Sequence, residues 1–232
     1  DYFHSFSTKT VAAIMEGEGD TGVRVGGMIK SVAKKASKKD GRLFGIIQFE
    51  DLTGSLEVLA YSKTYDIYKE LIHRDERNRE ERRPEDPPPE VTPVFVIGLT
   101  KKLDDEGSPV SITADKILTL DEVIEKYSEE LHIHLYEPED NGKVKQLLGI
   151  MKHYHGGHTK LILCVHTANG ETVFLEASSR HLLKVSKALL DAVTELLGGK
   201  RWKIKTDDTV PQPRPRFHRP EENPGGENKP LG

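Results

Sequence analysis

The run from Val23 to Tyr61, VRVGGMIKSVAKKASKKDGRLFGIIQFEDLTGSLEVLAY, limits the fold more than any other part of the chain. Its apolar residues recur with a period of two, which places one face of each strand in a core. The first strand is expected over Val23–Ala33, with Val23, Val25, Gly27 and Ile29 alternating against Arg24 and Lys30. A lysine-rich loop follows, with Lys34, Lys35, Lys38 and Lys39, and closes at Asp40-Gly41. Asp-Gly is a hairpin signal because the tight turn needs residues that tolerate positive φ. The second strand alternates Leu43, Gly45, Ile47 and Phe49, and Asp51-Leu52-Thr53-Gly54 turns into a third carrying Leu56, Val58 and Ala60. The adjacent Gly26 and Gly27 predict a bulge or sharp bend in the first strand, as a small curled sheet requires.

The rest of this unit completes a barrel. Tyr65, Tyr68, Leu71 and Ile72 have helical spacing, so Ser62–Ile72 reads as a short helix. Strand pattern resumes at Val94–Leu99, and an acidic hairpin at 103–108 leads to a fifth strand over Val110–Ile117. Three strands, a helix and two strands is the element order of the five-stranded OB-fold. Leu120–Tyr127 closes the unit with a short helix. Residues 1–22 supply an N-terminal helix, which Thr8 or Thr10 would cap, and a Gly- and acid-rich linker. The barrel unit therefore spans 23–127. Its segment 73–93, with mixed charge, a Pro cluster and almost no apolar residues, reads as a mobile insertion.

A second unit is expected over 128–206. Leu131, Ile133 and Leu135 alternate with His132, His134 and Tyr136 as a half-buried strand. Pro138–Tyr154 reads as a helix, His155–His158 as a turn and Leu161–Thr167 as a strand. Asn169-Gly170 turns into a strand over Glu171–Glu176. His181–Leu197 reads as an amphipathic helix stopped by Gly198-Gly199, and Lys200–Lys205 as a last strand carrying Trp202. The order βαββαβ predicts a split-βαβ sandwich. The fold class is thus mainly β, then α+β. Residues 207–232 read as a disordered Pro-rich tail.

Composition narrows the chemistry. The formal net charge of −4 gives no general support for nucleic-acid binding, so any such site must be a local basic patch. Cys164 is the one cysteine, which precludes an intrachain disulfide and suits a reducing, cytoplasmic setting. No apolar run approaches the roughly 20 residues of a membrane span. The chain lacks a signal-peptide pattern and an initiator Met, and reads as a piece of something longer.

Three segments resemble one group of OB-folds. Phe49-Glu50-Asp51-Leu52-Thr53-Gly54-Ser55-Leu56-Glu57-Val58 resembles a signature shared by anticodon-binding domains of some aminoacyl-tRNA synthetases and by bacterial replicative DNA polymerase III alpha subunits. Ser62-Lys63-Thr64-Tyr65-Asp66-Ile67-Tyr68 is similar to a polymerase segment that follows the third strand, with Ser62 where proline is usual. Ile112-Thr113-Ala114-Asp115-Lys116-Ile117 is similar to the polymerase's fifth strand. Leu131-His132-Ile133-His134-Leu135, a helix, a hairpin and a Leu-rich helix resemble the polymerase's C-terminal domain, which in the family binds the tau subunit of the clamp loader. The resemblance covers roughly residues 1–206. It implies the C-terminal region of a DNA-directed DNA polymerase, a nucleotidyltransferase whose catalytic aspartates lie upstream of this segment. It implies single-stranded DNA and replisome proteins as partners, and no cofactor. The insertion at 73–93 and the Pro-rich tail depart from the family pattern. Two alternatives stay open: a stand-alone nucleic-acid-binding module for tRNA or single-stranded DNA, and a protein-interaction adaptor.

The candidate nucleic-acid-binding residues are Lys30, Lys34, Lys35, Lys38, Lys39, Arg42, Phe44 and Tyr61. The cations can neutralise phosphates, and each such contact makes binding weaken with salt. Phe44 is out of phase with its strand's apolar face and Tyr61 follows the third strand, so both are expected outside, where bases can stack. The bland reading is a solvated lysine loop with aromatics covered by the helix. The acidic Asp104–Glu106 loop is expected to repel a strand on its side. His153, His155 and His158 match no zinc spacing, and a polar turn is the expected reading. Glu50-Asp51 reads as a turn start and Asp104-Asp105 as a hairpin tip, not as metal pairs. No catalytic or metal-binding residue is assigned.

Overall fold

The computed structural model describes residues 2–81, 92–102 and 109–213. Strands β1 (Gly22–Ala36), β2 (Leu43–Asp51), β3 (Gly54–Ala60), β4 (Val94–Lys101) and β5 (Ser111–Thr119) form a closed barrel in the order β1-β2-β3-β5-β4. That closed five-stranded barrel fits an OB-fold. β1 makes it possible by serving two neighbours. Gly22–Gly27 pair with β4 and Met28–Ala36 pair with β2. A short parallel pairing of β3 with β5 closes the ring. Val23, Val25, Ile47, Phe49, Val58, Ile112 and Ile117 fill the interior with no exposed surface.

The glycine pair sits where β1 changes partner. A Cβ on Gly27 would lie 2.3 Å from the Glu50 carbonyl oxygen, so the backbones approach too closely for any side chain. The register shift itself falls between Ile29 and Ser31, a few residues beyond the expected place. Gly27→Ala is expected to cost about 2 kcal/mol, the usual penalty of overpacking. A urea unfolding midpoint equal to that of the unchanged protein would refute this.

Several elements differ from expectation. β1 continues to Ala36, because Lys34 and Lys35 pair with Gly45 and Phe44 in a two-stranded ribbon beyond the barrel rim. Such a ribbon needs no apolar face there. The N-terminus holds two helices, α1 (Tyr2–Phe6) and α2 (Val11–Met15). Thr10 caps α2 by accepting from the Ala13 amide, whereas the Thr8 hydroxyl accepts from the Arg24 amide. Helix α3 (Ser62–Ile72) runs on into α4 (Arg74–Glu80), inside the segment read as mobile. Asp75 and Glu76 suit the first turn of α4, and Arg77 reaches back to Glu70. The expected insertion beyond residue 81, the acidic hairpin at 103–108 and the tail from 214 lie outside the described residues. Asp207 and Thr209, read as the start of the tail, lie against the barrel and offer their carbonyls to Arg24.

Helix α5 (Leu120–Tyr127) opens with a capping box between Thr119 and Glu122 and leads into the second unit. Strands β6 (Ser128–Tyr136), β7 (His155–His166), β8 (Thr172–Glu176) and β9 (Trp202–Thr206) form one sheet in the order β8-β7-β6-β9. Helices α6 (Val144–His153) and α7 (Lys187–Leu197) complete this α+β unit. The split-βαβ reading needs correction. β6 and β7 are hydrogen-bonded parallel neighbours, so no strand lies between them. β8 is exposed at all five residues and takes the outer edge, where an uncovered strand belongs. The hairpin turn alone is compatible with either placement.

Two helix starts and one turn also shift. Residues 138–143 form turns before α6, held by the Asp140 side chain accepting from the Tyr136 amide. His155–His158 is the start of β7, not a turn, because Gly156 and Lys184 donate to the carbonyls of Leu182 and Tyr154. That bonding keeps 182–184 extended, and α7 begins only where Ser186 caps it. A single 3-10 turn, Ser179–His181, precedes it. One core runs through both units: Phe6, Phe95 and Ile97 share it with Leu131, Ile133, Leu189 and Val193. No helix among the described residues is long and apolar enough to cross a membrane.

Candidate nucleic-acid interface

The β1–β2 ribbon carries most of the basic residues singled out in the sequence. Its loop is built by local bonds. The Ser37 amide donates to the Arg42 carbonyl at 2.8 Å, Gly41 takes a φ of 68°, and the Asp40 carboxylate accepts from the Arg42 amide at 3.3 Å. Hydrogen bonds from Ser37 and from the Arg42 backbone hold the Asp40 carboxyl below the usual range. Lys34, Lys35, Lys38 and Lys39 are exposed and form no ion pair among the described residues. The other two cations are committed locally: Lys30 to Glu50 at 2.6 Å and Arg42 to Asp40 at 3.6 Å. Lys30 and Arg42 therefore have less charge to offer a ligand.

The aromatics fall beside the free lysines. Phe44 lies directly across from Lys35 in the ladder. Its ring is 6.1 Å from the Tyr61 ring, tilted by 34°. Phe44 is half-buried and Tyr61 is 48% exposed, so the pair stands on the outer barrel wall and keeps a surface open to solvent. Helix α3 packs its Tyr65 in the core, where it shares a 2.9 Å hydrogen bond with His73. Tyr61 also borders a groove of about 320 Å³ lined by Met15, Gln48, Leu59, Lys101 and Ser111. A cationic ribbon, a ring pair and an apolar groove thus follow one another on one wall. Leu59 and Met15 were missed in the sequence. Leu59 is in phase with Tyr61, which is the signal that finds it; Met15 comes from α2, and no local pattern places it there.

The remaining candidates take structural roles. The Asp51 oxygens accept from the amides of Val11, Thr53 and Gly54 at 2.9, 2.7 and 3.1 Å. Burial works against the Asp51 charge, but these bonds and the Thr53 hydroxyl outweigh it and lower its pKa. Asp104-Asp105 lies outside the described residues. His153 and His155 bond to the carbonyls of Gly149 and Lys152. Cys164 is buried, which raises the pKa of its thiol. On the open face of the second sheet, His134 and His166 share a 2.9 Å bond, and Tyr136 stacks on His166 at 4.4 Å. Burial, then the neighbouring His166, lowers the pKa of His134. No group of His, Cys, Asp or Glu among the described residues is arranged to hold a metal. Trp202 anchors the second core's rim, donating to the Thr194 hydroxyl at 2.8 Å.

No family model matches the chain. It is 20% identical over 186 residues to DNA polymerase III subunit alpha of Escherichia coli, which covers 80% of this chain and 14% of that protein. It is 40% identical over 60 residues to DNA polymerase III subunit alpha of Mycobacterium tuberculosis, covering 25% of this chain and 5% of that one. A solved OBody bound to hen egg-white lysozyme matches 49% of this chain and 93% of its own, with 19% identity and a TM-score of 0.33, too little overlap to bear on the fold. The chain therefore spans about 14% of the length of the Escherichia coli relative. A match of that reach cannot fit within either unit alone, so the chain is weakly similar to a DNA polymerase III alpha subunit through both its barrel and its second sheet.

Proposed function

We propose that this chain is the C-terminal region of a replicative DNA polymerase III alpha subunit and that its barrel guides single-stranded DNA. The observation that carries the reading is the juxtaposition of Lys35 with the Phe44–Tyr61 pair on one wall, next to the loop that carries Lys38 and Lys39; Lys34 stands on the ribbon's other face. The lysines track phosphates while bases stack against the rings, a combination that binds a single strand with little sequence preference. The second unit contacts replisome proteins, with the tau subunit of the clamp loader as the partner. Polymerisation is the activity of the whole subunit, of which this chain spans about 14%.

Fluorescence anisotropy with a short single-stranded DNA, read across a range of salt, tests the barrel's role. Four phosphate contacts give a salt slope of about −3 for a single strand. Changing Lys34, Lys35, Lys38 and Lys39 together to Glu is expected to remove that slope and most of the affinity. Removing the Phe44 ring with Phe44→Ala is expected to cost about 1–3 kcal/mol of stacking while leaving the slope alone. Binding that survives the four-lysine reversal unchanged would end the ribbon's claim. Tighter binding of folded tRNA than of the DNA strand would favour a tRNA-recognising module instead.

A further inference from the structure

β8 is an edge of the second sheet, and it carries three consecutive exposed apolar residues that the proposed function does not use. Val173, Phe174 and Leu175 are 43%, 65% and 50% exposed. Apolar edge strands are usually shielded by a lysine, a proline or a bulge. β8, with the sequence TVFLE, has none of these, and its ladder with β7 runs without a register shift.

The direction of its free backbone groups follows from the β7 ladder. Thr167 donates to the Glu171 carbonyl and Ala177 donates to the Leu161 carbonyl, both at 2.9 Å. These bonds make 171, 173, 175 and 177 the positions that bond inward to β7, because an antiparallel ladder alternates bonded and non-bonded pairs. The N–H and C=O groups of Thr172, Phe174 and Glu176 therefore point out of the sheet.

We infer that β8 pairs with β8 of a second copy of this chain, antiparallel and centred on Phe174. That register alone makes each outward group meet an outward group: Phe174 opposite Phe174, and Thr172 opposite Glu176 at both ends. The side chains agree with it. Val173 falls opposite Leu175 on one face, twice by symmetry, and the two Phe174 rings meet on the other. The polar ends are compatible as well: each Glu176 carboxylate, 3.6 Å from Lys160 of its own chain, arrives beside the Thr172 hydroxyl of the other copy, which lies 3.1 Å from His166 Nδ1. The interface is isologous, with one patch serving both partners, and two four-stranded sheets become one continuous sheet. A pairing of five residues buries less than the roughly 1,200 Å² of a stable complex. The dimer is therefore reversible and depends on concentration.

Sedimentation velocity of the 232-residue chain, from low micromolar to the highest soluble concentration, tests this. The expected result is a monomer that shifts to a dimer as concentration rises. Phe174→Lys sets two like charges directly opposite each other and is expected to weaken association at least tenfold, with the circular dichroism spectrum unchanged because Phe174 is exposed. Thr172→Lys separates self-pairing from general stickiness. In this register the new lysine faces Glu176 of the other copy twice, and association is expected to tighten about fivefold. A monomer at every concentration would overturn the proposal and leave the edge to an extended segment of another polypeptide. Weakening by Thr172→Lys, or indifference to Phe174→Lys, would overturn it too.

Discussion

Replacing Arg24 with alanine is expected to destabilise the folded chain by about 2–3 kcal/mol, the cost of leaving buried carbonyls without their donor. Arg24 is 1% exposed although it stands on the outer side of β1. Its Nε donates to the Phe6 carbonyl at 2.6 Å and its Nη2 to the Asp207 carbonyl at 2.7 Å. Its guanidinium lies 3.9 Å above the centre of the Tyr127 ring. One side chain thus joins the N-terminal helix, the barrel, the end of α5 and the segment after β9. Its nearest carboxylate, Asp208, is 4.0 Å away and 84% exposed, so carbonyl dipoles and a π face hold the charge rather than a buried anion. Burial lowers the Arg24 pKa, and the contacts with Tyr127 oppose that shift. Truncation leaves two carbonyls without their donor and a gap against Tyr127. Arg24→Lys keeps the charge but loses the planar fork and the stacking, so it is expected to recover less than half of the loss. Urea unfolding of both variants checks this, and a loss below about 1 kcal/mol for Arg24→Ala would contradict it.

Asp140 carries the second large effect, and its effect depends on pH. Its carboxylate is 1% exposed and accepts from the Tyr136 amide at 2.9 Å and from Arg201 at 2.7 Å, with Lys143 at 3.0 Å. Burial acts to raise its pKa. The Tyr136 bond, Lys143 and Arg201 act the other way and prevail, so the carboxyl titrates below its ordinary value. A depressed carboxylate pKa stabilises the fold above the unfolded pKa of about 4 and loses that contribution as pH falls through the folded pKa. Asp140→Asn keeps the shape but removes the charge, and is expected to cost about 2–3 kcal/mol at neutral pH. The difference from the unchanged protein should begin to narrow below about pH 4 and close only as pH falls through the depressed pKa of the folded carboxyl, where both are neutral at this position. A difference that stayed constant from pH 7 to pH 3 would show that the charge is not what matters there.

Much of the barrel was legible because its strands solve a local problem. Asp40-Gly41 and Asp51–Gly54 need particular turn residues, and Ile47, Phe49, Leu56 and Val58 repeat with the period of a half-buried strand. The ribbon side of the candidate site was legible for the same reason. Strand phase alone puts Phe44 on the wall opposite the core, and the loop's lysines have nowhere else to go but solvent. Less legible was which charges are free. Nothing in the order of residues says that Lys30 pairs with Glu50 while Lys34 and Lys35 form no ion pair among the described residues, since that depends on the β1–β2 register and its shift after Ile29.

The second unit shows where local pattern runs out. Alternation predicts that β6 and β7 are strands, but not that they are neighbours. That depended on which edge could be left uncovered, and the fully exposed β8 took it. The start of α7 likewise depended on a distant event, the bonding of 182–184 to the start of β7, which competed with helical spacing and prevailed.

Strand phase, turn chemistry and a lysine-rich connection between the first two strands were legible in the sequence alone, because each rests on residues close together in the chain. Tertiary structure decided how β1 divides its length between two partners, which of the sheet's strands stands at the edge, and that Arg24 is sealed between two units. Those outcomes rest on backbone groups and side chains brought together from across the chain, and the energy of burying a charge or leaving an edge open belongs to the assembled fold, not to any segment of it.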